Sequence, residues 1–395
     1  MGQPTFTSQT HCTACLGKNL ATVVEMPGFP MIGVFVDSPD DAGIAPVDQA
    51  LMICETCGHM QLHNNVDPQI LYNSKYFHRS GESVTASAGI DAFVDYVKEV
   101  AGHRKFKRLL EVGCNDMYLL RQVSNLADEV FGIDPIWIGE ETPSEGNIEV
   151  IGGFVEQVDF EDTLNGKPDL VISSMTFEHL KDPHETLHHL IDAAADDAVF
   201  VIQVPGTEMI LGNLRFDQLT HQHYQQFSLH SFVKMVEACG GRYLSHETNT
   251  PYWGAIMIAF TKGSGDDARA LFPRHTLAEV SDKFTAFEQH LQRLMDVLNG
   301  FGERPIYGFG AAQNVPSLAY FMKSDLGFLQ AVLDDDPSRQ NKYWPGLKVK
   351  TAAPKSEMNL SKAAVLITAP EYARALVGRA ARLGVERIVV PAAAF

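Results

Sequence analysis

The chain has 395 residues, of which 45% are apolar and 20% charged, with a formal net charge of −18 and six cysteines. That length exceeds what one hydrophobic core holds, so two or three domains are expected. The composition, free of low-complexity tracts and solenoid-period repeats, argues against disorder. The acid excess, with no long basic run, excludes nucleic acid and anionic membrane surfaces as main partners. A phosphorylated small molecule stays open, because a few arginines or a helix N-terminus can hold a pyrophosphate inside an acidic protein. The N-terminus, MGQPTFTSQTHC, has no basic or apolar signal region, and no run of about 18 apolar residues occurs, so a cytoplasmic protein is expected.

Residues 1–75 read as a loop-rich, zinc-binding module of short strands, broken at Pro27-Gly28, Phe29-Pro30 and Asp37–Asp40. Cys12-x2-Cys15 and Cys54-x2-Cys57 each precede a glycine, Gly17 and Gly58, that lets backbone N–H groups turn toward sulfur. Four thiolates at this spacing close a tetrahedron around zinc and leave no open position, so the metal holds the fold rather than reacting. Unrelated buried thiols and disulfides are the alternatives, the latter disfavoured in a cytoplasm. Cys114 and Cys239 lie in apolar surroundings and read as core.

Over residues 76–265 a helical pattern from about Ile90 leads into a strand at Lys107–Gly113. Strand–helix alternation continues through Glu129–Asp134, Pro168–Ser173 and Asp197–Gln203. That alternation predicts a parallel, doubly wound, Rossmann-like α/β sheet. Residues 266–300 hold a polar-amphipathic bridging helix, roughly Leu277–Leu298. Beyond it, residues 301–395 carry four more buried strand runs, Pro305–Gly310, Leu329–Asp334, Ala364–Thr368 and Arg387–Val390, which predict a second, smaller Rossmann-like domain.

Glu111-Val-Gly113-Cys-Asn115-Asp116-Met117 stands where the first strand of the core meets its helix, the crevice in which open α/β sheets bind ligands. An acid followed two residues later by glycine opens an S-adenosyl-L-methionine loop, and Asp134, ending the second strand, is placed to accept from a ribose diol. Ser173, at the end of the next strand, joins them as a cofactor candidate. Met117 stands where a further glycine is usual, and its side chain is expected to project toward the adenosyl or methionyl part of the cofactor. Each signal alone is common to doubly wound folds, so a core without a nucleoside ligand is the alternative.

Four further stretches complete the pattern: Cys54-x2-Cys57-Gly-His-Met-Gln-Leu62, Tyr76-Phe-His78-Arg-Ser80-Gly, Phe216–Ser228, and Asp334–Gly346. With the Glu111 loop, and in this order, they resemble the three-domain sugar C-methyltransferases over nearly the whole chain. The resemblance implies a zinc-binding N-terminal domain, an S-adenosylmethionine-dependent methyltransferase core, and a C-terminal domain closing over the nucleotide of a nucleotide-diphospho keto-sugar. Methylation beside a ketone needs a base for the α-proton, a donor for the enolate oxygen and the sulfonium methyl in line. His223 is the first candidate for the base and His179 the second. Tyr76, His78, Gln222 and Tyr224 are candidates to hold the sugar or donate to the enolate.

Two departures stand out. Similar enzymes usually read Tyr-His-Glu-His where this chain has Thr220-His221-Gln222-His223, and Gln313 replaces a lysine common in the Gly308–Asn314 loop. A methyltransferase acting on nitrogen or oxygen, and a binding protein that has lost cofactor use, are therefore the other two readings. A metal held by His221 and His223 lacks a nearby carboxylate pair. His188 and His189 are expected on an exposed helix face.

Overall fold

The computed structural model describes residues 4–41, 43–71, 84–264, 272–355 and 358–391. In chain order, the N-terminal strands are β1 (Phe6–Ser8), β2 (Leu20–Phe29), β3 (Val47–Cys54), β4 (Met60–Leu62) and β5 (Asn64–Val66). The next are β6 (Phe106–Val112), β7 (Ala127–Asp134), β8 (Ser144–Glu145), β9 (Ile148–Gly152), β10 (Leu170–Ser174), β11 (Val199–Val204), β12 (Gln225–Gln226), β13 (Gly241–Asn249) and β14 (Ala255–Lys262). The last are β15 (Ile306–Phe309), β16 (Leu329–Leu333), β17 (Thr351–Ala352), β18 (Ala364–Ile367) and β19 (Arg387–Val389).

The large sheet runs β13-β14-β11-β10-β6-β7-β9-β8, with β11, β10, β6, β7 and β9 parallel. Helices cover both faces of these strands, which is why Leu109, Leu110, Val171, Ile172 and Val201 form unbroken apolar runs. From β6 the chain goes to one side for β7 and returns on the other for β10. The crevice opens at the carboxyl ends of β6 and β10, where Glu111 and Ser174 stand. An antiparallel hairpin, β13–β14, closes one edge. The smaller sheet, β17-β16-β15-β18-β19, is parallel throughout.

Two connections bind the parts together. First, β12, from the middle of the core, pairs with β4 and completes the four-stranded sheet of the zinc-binding module. Second, the helix Leu277–Asn299, capped by Thr276 on the Glu279 amide, buries Val280, Phe284, Phe287, Leu291, Leu294 and Leu298 at helical spacing. Phe216, Phe284, Phe287 and Phe321 meet edge to face or tilted on this stripe, and Phe29 of β2 joins through Phe321. Burial of such side chains stabilises by about 1.5–3 kcal/mol each, well above the roughly 1 kcal/mol of the cap. The helix is therefore a shared core element of the N- and C-terminal parts, not an exposed strut. Among the described residues no helix is long and apolar enough to cross a membrane.

Candidate functional site

The four N-terminal cysteines converge. Cys12 Sγ lies 3.6 Å from Cys57 Sγ, and Cys15 Sγ 3.7 Å from Cys54 Sγ. Ligands of a tetrahedral zinc at about 2.3 Å stand about 3.8 Å apart, so the thiols fit that metal as they are. Gly58 has φ 70°, and a Cβ there would come within 2.8 Å of the His275 carbonyl, which is why the second knuckle needs glycine. Thr13, next to Cys12, donates to Gln225 Oε1 at 2.6 Å, and Gln225 Nε2 donates to the Leu180 carbonyl at 2.8 Å. The zinc loop is thus tied through β12 to the segment that carries His179.

One cavity of about 1900 Å³ is lined by all three parts of the chain. That exceeds the ~300–1,000 Å³ of a site for one small ligand and leaves room for a cofactor and a large acceptor together. On the core side, Gly113 has φ 81°, and a Cβ would stand 2.0 Å from Thr176 Oγ1, so the turn admits only glycine. Asp134 accepts from the Asn115 amide at 2.8 Å and the Ile136 amide at 2.9 Å, which fixes its carboxylate at the cavity wall. The Asn115 carbonyl takes the Trp137 indole N–H at 2.9 Å, and Asp116 Oδ1 accepts from the Tyr118 amide. Glu111 is buried with Oε2 unpartnered. Burial, then Asp134 and Asp116, push its carboxyl well above the usual range.

Two cofactor candidates stand elsewhere. Met117 does follow the turn in sequence, but with φ 63° it directs its side chain into the core, where it is 2% exposed in one cluster with Val97 and Leu120 and does not border the cavity. The left-handed backbone that glycine would serve is present, and the side chain simply leaves on the other face. Ser173 is fully buried, its hydroxyl donating to the Val112 carbonyl across β10 and β6.

His179 and His223 meet at the cavity wall with ring centroids 5.0 Å apart, edge to face. His179 Nδ1–H donates to the Gln222 carbonyl at 2.7 Å. Burial, then His179, hold His223 down at about 3. Gln222 also lines the cavity. Tyr224 does not: its hydroxyl donates to the Val66 carbonyl and its ring packs with Met31, Val47 and Leu71. Tyr76 and His78 lie outside the described residues. His221 is spent on the fold, one ring nitrogen against the Phe29 carbonyl and the other against Gln49. His188 is exposed and pairs with Asp192, whereas His189 packs tilted against Phe160 and reaches the cavity.

Sequence reasoning missed Glu178. It is buried, borders the cavity and has both oxygens without a hydrogen-bond partner on another residue. Glu178, His179 and His223 bring ligand-type atoms within 4.8 Å of one another. The His179 Nε2 to Glu178 Oε1 distance of 3.8 Å is wide for ligands on a metal at about 2.1 Å, which stand about 3.0–3.4 Å apart. The glutamate precedes His179 directly, so the signal was present, but only its burial distinguishes it from a solvated acid.

Three family models match in order: a zinc-binding domain over residues 12–72, a methyltransferase domain over 86–246, and a C-methyltransferase C-terminal domain over 266–390. The C-methyltransferase NovU of Streptomyces niveus is 26% identical over 261 residues, which is 65% of this chain and 61% of that protein's length. Among solved structures, the plantazolicin methyltransferase BpumL in complex with SAH overlaps 47% of this chain and 87% of its own, at 12% identity and a TM-score of 0.36. Magnesium protoporphyrin IX methyltransferase from Synechocystis PCC 6803 overlaps 46% and 81%, at 15% identity and a TM-score of 0.34. In sequence order the chain thus carries matches to a zinc-binding domain, a methyltransferase domain and a C-methyltransferase C-terminal domain, the three that its sequence pattern resembles.

Proposed function

We propose that this chain is a cytoplasmic enzyme that moves the methyl group of S-adenosylmethionine to a carbon beside the ketone of a nucleotide-linked deoxy-sugar, through an enolate formed by histidine. The observation that carries this reading is the meeting of His179 and His223 on the wall of the cavity that also presents the Gly113 turn and Asp134. When bound, the cofactor supplies an electrophilic methyl group. Asp134, held by two backbone amides, would accept from its ribose diol, and Gly113 and Asn115 would shape the turn around it. His223 takes the α-proton, and His179, anchored on the Gln222 carbonyl, holds the imidazole pair in place.

The smaller domain repeats the loop-to-acid brace. The Ala311 amide donates to Asp334 Oδ2 at 2.7 Å, as the Asn115 amide donates to Asp134 Oδ2 at 2.8 Å. Both acids border the same cavity, and this supports a second nucleoside, that of the acceptor, under the C-terminal domain. Lys181 and Arg339 are the Lys and Arg side chains on the described cavity wall, Arg339 already pairing with Asp336 at 3.2 Å and donating to the Ala311 carbonyl.

Calorimetry tests the cofactor half. Adenosylhomocysteine should bind, and Asp134→Ala should weaken it by about 1.5–3 kcal/mol, the worth of hydrogen bonds to a charged acceptor. Deuterium exchange tests the chemistry. With adenosylhomocysteine present, wild type should wash solvent deuterium into the α-carbon of a nucleotide keto-sugar, and His223→Ala should lower exchange and methylation together by about 10²–10⁴-fold. Absence of adenosylhomocysteine binding at millimolar concentration would refute the methyltransferase reading. Methylation at nitrogen or oxygen without exchange at carbon would refute the enolate.

A further inference from the structure

Glu178 is 1% exposed, and neither carboxyl oxygen finds a hydrogen-bond donor on another residue. Leaving a buried polar group unpaired is unfavourable, so such a group in a cavity wall calls for a reason. His179 stands beside it, with Nε2 3.8 Å from Glu178 Oε1, and His179 in turn packs on His223. Because His179 Nδ1–H is committed to the Gln222 carbonyl, its tautomer leaves Nε2 basic on the side that faces Glu178.

Position 222 brings no charge to these rings. Its side chain is an amide whose Nε2 approaches Gly33, 3.7 Å from where a Cβ would stand, and Gln313 Oε1 approaches the same point at 3.3 Å. We propose that Glu178 is a positioning residue for proton transfer: its carboxylate supplies, through His179, the negative charge that lets the His179–His223 pair accept the proton of the substrate.

This inference rests on the enolate chemistry proposed for the site. The C–H bond beside the ketone breaks, its proton goes to His223 and its electron pair becomes the enolate. The enolate carbon then bonds the methyl group as the sulfur–carbon bond breaks, with those electrons returning to sulfur. The proton on His223 leaves to water. A buried imidazole held near 3 is a poor base, and an anion beside the pair, present once Glu178 ionises, raises its proton affinity. Burial pushes Glu178 up to about 8, and no other charged group contributes to its rise. The titratable groups set against it are His179 from its own turn and His223 from the loop after Thr220. Activity should accordingly rise with pH as Glu178 ionises near 8.

The test uses the full zinc-loaded chain in three forms: wild type, Glu178→Gln, and Glu178→Gln with Gln222→Glu. In ¹⁵N-histidine NMR, the His179 and His223 ring signals of wild type should show a step near pH 8 as Glu178 ionises beside them; Glu178→Gln should abolish that step, and the double variant should regain one as its new carboxylate ionises. Exchange into thymidine-diphospho-4-keto-6-deoxyglucose, with adenosylhomocysteine bound, should fall about 10–10²-fold in kcat with KM unchanged, should lose its rise near pH 8, and should be restored in part by the double variant. Unchanged zinc content and adenosylhomocysteine affinity show that the variants fold. A step near pH 8 that is absent from the wild-type histidine signals or persists in Glu178→Gln, or exchange at the wild-type rate in that variant, overturns the proposal. If wild type fails to exchange the probe, the enolate reading falls, while the NMR shift still decides the coupling of Glu178 to the histidines.

Discussion

Met117→Gly separates two views of the cofactor turn. If the side chain faced the cofactor, removing it would open space and tighten binding. The structure instead buries it to 2% exposure among Val97, Leu119 and Leu120. Truncating a buried methionine costs about 2–5 kcal/mol. Relief of a left-handed backbone, here φ 63°, returns about 1–2 kcal/mol to a residue other than glycine. The net expectation is destabilisation by about 0–4 kcal/mol, which at roughly 2–4 °C per kcal/mol for a domain of this size lowers the melting temperature by up to about 16 °C. Differential scanning calorimetry reads the shift, and titration calorimetry should find adenosylhomocysteine affinity within about twofold of wild type, since no cavity atom is removed. An affinity gain of tenfold with an unchanged melting temperature would refute the placement of Met117 in the core.

Two more outcomes follow from buried groups. Cys54→Ala with Cys57→Ala should abolish stoichiometric zinc, read by metal analysis, and should also cost catalytic activity, because the Thr13–Gln225–Leu180 hydrogen bonds carry the zinc loop to the His179 segment. Full zinc occupancy in that variant would refute the assignment. For Glu178, the folded-state value is raised above that of the unfolded chain, so its stabilising contribution is complete below about 4.5 and is lost as pH rises toward about 8. The melting temperature of wild type should therefore fall relative to Glu178→Gln across that window, and parallel pH profiles would refute it.

The strands that carry the site were legible because a parallel sheet covered on both faces leaves apolar runs, as in β6, β10, β11, β15, β16 and β18, whereas the two-residue β17 offers no such run. The hairpin β13–β14 was not, since β13 alternates polar residues such as Arg242 and Glu247 along a half-exposed edge. Nor was the pairing of β12 with β4, a contact of two residues distant in sequence that no local period announces. The cysteine spacing predicted a convergence that the thiol distances match. Residue direction was harder to read. Met117 and Tyr224 both lie within motifs that reach the cavity, and both turn away from it, one through a left-handed backbone and the other through a hydroxyl bonded to Val66.

The two departures from the usual pattern gain a common sense from their placement. Gln222 and Gln313 come from different domains, yet both line the cavity and approach Gly33. Where the resemblance implies a glutamate and a lysine, this chain carries two amides, so the net charge at the junction is the same. An amide pair needs less desolvation than an ion pair to sit between domains, and it also withdraws the anion from the histidine loop. Glu178 lies in the turn after β10, buried on the methyltransferase-core side of the cavity wall, whereas Gln222 and Gln313 approach Gly33. A carboxylate there is shielded from whatever fills the nucleotide side of the cavity. Its influence on His179 should therefore change little when an acceptor binds, whereas a charge at position 222 would be exposed to the acceptor and to movement of the C-terminal domain. On this argument the single variant Gln222→Glu, with Gln313 left in place, should couple its new carboxylate to the histidines in a way that depends on the acceptor. Its ¹⁵N-histidine midpoint should move when a nucleotide-diphospho-sugar is added, while that of wild type should hold, and equal movement in the two proteins would refute the distinction between the two positions.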